Sequence, residues 1–171
     1  MKHMWTPWRM AYILSDKEDD CVFCDMLEAA DDRESLVLHR GERAFLVLNK
    51  YPYNNGHLMA VPYRHVDTLE ALTAAELADV MALVTLGMRA LRAAMQPEGF
   101  NIGVNIGKVA GAGVEDHVHV HIVPRWTGDT NFMPVFGEVR VIPQALCETY
   151  DLLKTAVDAI LTEGILDKVT R

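Results

Sequence analysis

The chain has 171 residues, half of them hydrophobic and 23% charged, with a formal charge of -8, which suits one folded domain with a real core. That charge disfavours general nucleic-acid binding through a basic surface, and no apolar run is long enough to span a bilayer. Three cysteines in a chain of this size do not make a disulfide framework.

Residues 1–20 read as a docking segment. Trp5-Thr6-Pro7-Trp8-Arg9-Met10-Ala11-Tyr12 is too aromatic for a free tail, and Asp16 to Asp20 is acidic. The segment lacks the apolar centre of a signal peptide, so a cytoplasmic location is expected. Cys21-Val22-Phe23-Cys24 opens a short helix to about Ala30. Ser35 to His39 and Ala44 to Asn49 read as strands around a turn at Arg40-Gly41-Glu42. Tyr51-Pro52-Tyr53-Asn54-Asn55-Gly56 is a turn, and His57 to Pro62 is a third strand.

Thr73-Ala74-Ala75-Glu76 is a capping box. Leu77, Val80, Met81, Val84, Met88, Leu91 and Met95 follow at helical spacing, up to a stop at Pro97 and Gly99. The methionine stripe reads as core packing. Phe100 to Ile106 alternates as a fourth strand, and Gly107 to Gly113 is a small-residue loop. His117-Val118-His119-Val120-His121-Ile122-Val123 is the fifth strand, ended by Pro124-Arg125. Gln144 to Leu161 is a last helix, with Cys147 in the core and Gly164 to Arg171 as a tail. Hairpin-length connections predict an α+β fold: an antiparallel sheet of about five strands with helices on one side.

The histidine strand carries the chemistry. Side chains alternate with period 2, so three imidazoles share one face and Val118, Val120 and Ile122 share the other. A neutral imidazole can attack phosphorus when one nitrogen is free and the other is held by an acceptor. His119, flanked by His117 and His121, is the nucleophile by position. Loop amides beside these rings make a plausible phosphate cradle. Cys21-x-x-Cys24 supplies half of a zinc site or, alternatively, two buried thiols. Arg125 is either a phosphate partner or a strand-end salt bridge.

The run His117-Val-His119-Val-His121-Ile-Val resembles the signature of the histidine triad (HIT) superfamily. Asn54-Asn55-Gly56-His57 and Pro62-Tyr63-Arg64-His65 resemble the segment that supplies its fourth histidine. Trp126 to Met133, with Trp5-x-Pro7-Trp8-Arg9, resembles the bacterial diadenosine polyphosphate phosphorylase-like branch. The resemblance implies a single HIT domain over residues 1–171, with its core at 21–125 and a C-terminal extension and helix at 126–171. It implies a five-stranded antiparallel sheet, a homodimer, and catalytic roles for His119, His121, His57 and His117.

Substrate contacts are then implied at Asn49 for ribose hydroxyls, and at Asn105, Gly111, Gly113 and Val114 for phosphate. Trp126 is a candidate for base stacking and Asn131 for phosphate. A structural zinc is implied at Cys21, Cys24, His65 and His117, with no organic cofactor. The implied activity is cleavage at the α-phosphate of a dinucleoside polyphosphate or another adenosine nucleotide conjugate, through a nucleotidyl-His119 intermediate. Two other readings compete: a metal-dependent hydrolase with the triad as ligands, and a non-catalytic nucleotide-binding module.

Overall fold

The computed structural model describes residues 21–129 and 144–169. The expected docking segment and Asn131 lie outside the described residues. Five strands form one antiparallel sheet: β1 (Val37–Arg40), β2 (Ala44–Leu48), β3 (Leu58–Pro62), β4 (Gly99–Val104) and β5 (Val120–Arg125), in the order β1-β2-β3-β5-β4. The helices are α1 (Val22–Glu28), α2 (Ala74–Met95) and α3 (Leu146–Val169). Among the described residues no helix is long and apolar enough to cross a membrane.

Strand alternation divides the core in two. Ala44, Leu46, Leu48, Leu58, Ala60, Val120 and Ile122 face the long helices, meeting Val80, Leu83, Val84, Leu91, Leu153 and Val157. Phe45, Val47, Met59 and Val61 face the other way and pack around Phe23 of α1. The long helices therefore share one side, as the sequence suggests, while α1 lies on the other. That second side also carries the histidines, because His121 pairs with Met59.

The capping box forms. The Thr73 hydroxyl accepts the Glu76 N–H, and the Glu76 carboxylate accepts the Thr73 N–H at 2.7 Å. Arg64 donates to the same carboxylate from Nε and Nη2, at 2.7 and 2.8 Å, and with Thr73 holds Glu76 down at about 2. The turn that carries His65 is thereby fixed to the start of α2. Gly87 lets α2 approach the sheet: a Cβ there would come within 3.1–3.3 Å of Ile122, Leu58 and Leu46.

Several expectations change. Met81 is 53% exposed, so the methionine stripe is only partly core; Leu83, Leu86, Gly87 and Ala90 complete the buried face. Cys147 is exposed. The last helix runs to Val169, because one glycine costs only about 1 kcal/mol in a helix and no proline follows Gly164. The ladder of β5 starts at Val120, not His117. In register, Val118 would face Pro62, which has no N–H to give; Val118 donates instead to the Val66 carbonyl at 2.7 Å. At its other end β5 continues through Pro124 to Arg125, paired with β4.

Gly56 sits at φ +72°, and a Cβ there would meet Met95 Sδ at 2.8 Å and Leu91 at 2.9 Å. Gly56→Ala combines a left-handed backbone penalty of about 1–2 kcal/mol with overpacking of about 1–3 kcal/mol. Chemical denaturation is expected to show a loss of about 2–5 kcal/mol.

Candidate functional site

Four imidazoles converge from two adjacent strands. His57 precedes β3, His121 lies in β5, and His117 and His119 lie in the extended run before β5; all four are buried. The His57 loop is pinned by its asparagines. Asn54 Nδ2 donates to the Pro124 carbonyl at 3.1 Å and to Asp129 Oδ2 at 2.8 Å. The Thr149 hydroxyl of α3 donates to the buried Asn55 Oδ1 at 3.3 Å. This turn, read from sequence as punctuation, thus ties β3, the end of β5 and α3 together.

Hydrogen bonds assign the tautomers. The Tyr53 N–H donates to His57 Nδ1 at 3.0 Å. A backbone amide can only donate, so Nδ1 carries the lone pair and Nε2 the proton. His57 Nε2 is 3.0 Å from His121 Nδ1, which must accept; His121 therefore holds its proton on Nε2. His119 Nδ1 lies 2.8 Å from the His117 carbonyl and must donate, leaving the lone pair on Nε2. Ring centroids of His119 and His121 are 4.7 Å apart. A lone-pair nitrogen and an N–H donor thus stand on neighbouring rings.

Burial pushes His119 and His117 below the ordinary histidine value. His121 is pushed down to about 4, by burial first and by His119 second. The folded His121 ring thus gives up its proton more readily than an unfolded one at 6.5. Between about 4 and 6.5 the unfolded chain binds more protons, so stability is complete above 6.5 and falls as pH drops through that window. Denaturation midpoints at pH 5 are expected below those at pH 7.5.

Cys21, Cys24, His65 and His117 offer ligand atoms that all lie within 4.8 Å of one another. Cys21 Sγ is 3.3 Å and Cys24 Sγ 3.8 Å from His117 Nδ1, and Cys24 Sγ is 3.4 Å from His65 Nδ1. His117 Nε2 donates to the Pro62 carbonyl at 2.9 Å, so its Nδ1 lone pair faces the thiols. Two sulfurs and two aromatic nitrogens at these separations suit a tetrahedral zinc ion. Burial, and next Cys21, pushes the Cys24 thiol up to about 11; a metal binding here would displace thiol protons. Of the triad, only His117 belongs to this group.

Phe23 stands between the two clusters, its ring 5.4 Å from His117 and 4.8 Å from His119. Its wedge role was not legible in the sequence, where only its place inside Cys-x-x-Cys marks it. Tyr53 was also missed; its ring lies 4.6 Å from His57 and 5.5 Å from His121.

The other expected residues spread out. Asn49 Oδ1 accepts the Tyr51 N–H at 2.9 Å, and its Nδ2 is 3.2 Å from His57 Nδ1. Asn105 is half-buried at the start of the glycine loop, where Gly111 and Gly113 are exposed; Val114 packs against the Phe23 cluster. Trp126 follows β5, five residues beyond His121 and on the order of 16 Å along an extended chain. Its indole N–H donates to the Met95 carbonyl at 3.3 Å, at the end of α2 rather than among the imidazoles. Arg125 forms the strand-end pair with Asp129, at 2.6 and 2.8 Å. A surface pocket of about 380 Å³ beside α3, lined by Leu36, Lys50, Leu146, Cys147 and Tyr150 among others, contains none of the imidazoles.

Comparison with known proteins agrees with this fold. The HIT domain family matches residues 31–128. A Mycobacterium tuberculosis protein named AP-4-A phosphorylase is 43% identical over 164 residues, spanning 91% of this chain and 84% of that one. A Schizosaccharomyces pombe protein named asymmetrical bis(5'-nucleosyl)-tetraphosphatase is 35% identical over 95 residues, 56% of this chain and 52% of its own. The crystal structure of a zinc-bound histidine triad family protein from Mycobacterium smegmatis superimposes with a TM-score of 0.68 at 28% identity, covering 85% of this chain and 98% of that one.

Proposed function

The chain belongs to the HIT domain family, and from that premise we propose that it cleaves dinucleoside polyphosphates or related adenosine nucleotide conjugates at the α-phosphate. One observation carries this: His119 presents a lone pair on Nε2 beside the Nε2–H of His121. His119 Nε2 attacks the α-phosphorus. The bond from that phosphorus to the bridging oxygen breaks, and His121 gives a hydrogen bond or a proton to the departing oxygen. Water or inorganic phosphate then attacks the nucleotidyl-histidine, displacing His119. Phosphate makes the enzyme a phosphorylase and water makes it a hydrolase.

Asn49 would meet the ribose hydroxyls, and Asn105 with the backbone of Gly111, Gly113 and Val114 would meet the phosphates. The loop Gly111-Ala112-Gly113-Val114 has no Gln or Ser side chain to help, so backbone amides serve. Trp126 and Asn131 complete the proposed contacts, though the indole's bond to Met95 favours a packing role for Trp126. Cys21, Cys24, His65 and His117 would hold a structural zinc, which supplies a rigid cross-link between α1 and the segment carrying the nucleophile. His117 then orients His119 through its carbonyl.

We read residues 1–171 as one domain acting in the cytoplasm as a homodimer. The edge strand β4 supports pairing with a second copy, since Ile102 is 41% exposed there and Ile106 just beyond it 39%. The test is incubation with diadenosine tetraphosphate, with and without phosphate, and chromatography of the products. ADP and ATP are expected if phosphate is the acceptor, AMP and ATP if water is. No turnover under either condition refutes the proposal.

A further inference from the structure

Asn49 carries an expectation of ribose binding, yet its side chain is already engaged with the site's own machinery. Its Oδ1 accepts the Tyr51 N–H at 2.9 Å. That contact fixes the amide orientation, because only an oxygen can accept it, and so turns Nδ2 towards His57 Nδ1 at 3.2 Å. The same nitrogen receives the Tyr53 N–H at 3.0 Å. Two donors therefore converge on one lone pair, and His57 can carry its proton only on Nε2. That proton is donated to His121 Nδ1, 3.0 Å away, which leaves His121 with its own proton on Nε2.

The geometry points to Asn49 as a positioning residue that, together with the Tyr53 N–H, holds the polarity of the His57–His121 pair, so that His121 offers a proton, rather than a lone pair, to whatever occupies the site. This rests on the reading that the histidine face is where the reaction occurs. It adds a role for a side chain that never has to touch the reacting atoms. The groups facing His57 among the described residues include the Asn49 amide from the end of β2, the Tyr53 N–H and ring from the loop, the ring at 4.6 Å, and the His121 ring from β5 at 5.1 Å. Asparagine is suited to this place. An aspartate would present an acceptor to His57 Nδ1, draw a proton there and so either reverse both tautomers or make His57 cationic.

The experiment needs no substrate for its first readout. Protein labelled with ¹⁵N-histidine is examined by long-range ¹H–¹⁵N correlation at neutral pH. Wild type is expected to show His57 and His121 both protonated at Nε2. Asn49→Asp is expected to show protonation at His57 Nδ1. Asn49→Ala, which deletes one donor and adds no acceptor, is expected to shift the His57 Nδ1 signal while the proton stays on Nε2, because the Tyr53 N–H still donates to Nδ1.

In turnover, the aspartate variant is expected to lose on the order of tenfold to a hundredfold in kcat, whereas a ribose contact alone would act mainly on KM. Unchanged nitrogen signals at His57 and His121 in both variants would overturn the positioning role. Wild type that lacks turnover while its variants show the expected nitrogen shifts would overturn the proposed function and leave the positioning role standing.

Discussion

His119→Ala is expected to lower turnover of diadenosine tetraphosphate on the order of 10⁴-fold or more, the scale on which removing a nucleophile acts. The ring is 4% exposed, so its removal leaves a cavity beside Phe23, and a stability loss of about 1–3 kcal/mol accompanies the change. His119→Asn separates the two effects. Its amide can still donate to the His117 carbonyl, but it brings no nucleophilic nitrogen. Both variants are expected to fail to form a nucleotidyl-protein adduct detectable by mass spectrometry after acid-free quenching. Both are expected to keep bound metal, since His119 is not among the four clustered ligands. Turnover within a few fold of wild type in either variant would refute the nucleophile assignment, and metal lost with the ring would favour the triad as a metal centre.

Cys24→Ser has the second large effect, and it acts on the whole molecule. The variant is expected to lose metal, measured by inductively coupled plasma mass spectrometry, from about one ion per chain towards none. A ligand present at a hundred times its dissociation constant stabilises by about 2.7 kcal/mol. For a chain of this length that is roughly 5–11 °C in Tm. A chelator is expected to reproduce the shift in wild type and to do nothing to the variant. Activity should fall too, on the order of tenfold to a hundredfold, because α1 carries Phe23 against His119 at 4.8 Å. Equal metal content and equal Tm in the two proteins would make the cysteines ordinary thiols.

The sequence carried most of this site in its residue types. Alternation placed His117, His119 and His121 on one face, and the capping box placed α2. The Cys-x-x-Cys spacing found two ligands, and resemblance supplied His65 and His117 as the others. Contributions made by backbone were not legible. The amide of Tyr53, which with Asn49 holds the tautomer of His57, belongs to no residue type. The late start of β5 depends on Pro62 lying opposite Val118, a register that appears only when two distant strands meet. Met81 and Cys147 sit at apolar helical positions, but α2 and α3 bury only the stripes that face the sheet and each other. Gly164 signalled an end that α3 did not need.

The strand order has a kinetic consequence. β1, β2 and β3 are neighbours in both sequence and space, whereas β3 meets β5 only after α2 and β4 have been laid down between them. His57 and His121 are 64 residues apart, and Cys21 and His117 are 96 apart. Closing loops of that length is slow compared with forming local hairpins. In refolding from denaturant, the secondary-structure signal of the first three strands should precede recovery of activity. Active enzyme should emerge with the last closure, so that partly folded chains, even with much of their sheet in place, remain chemically silent.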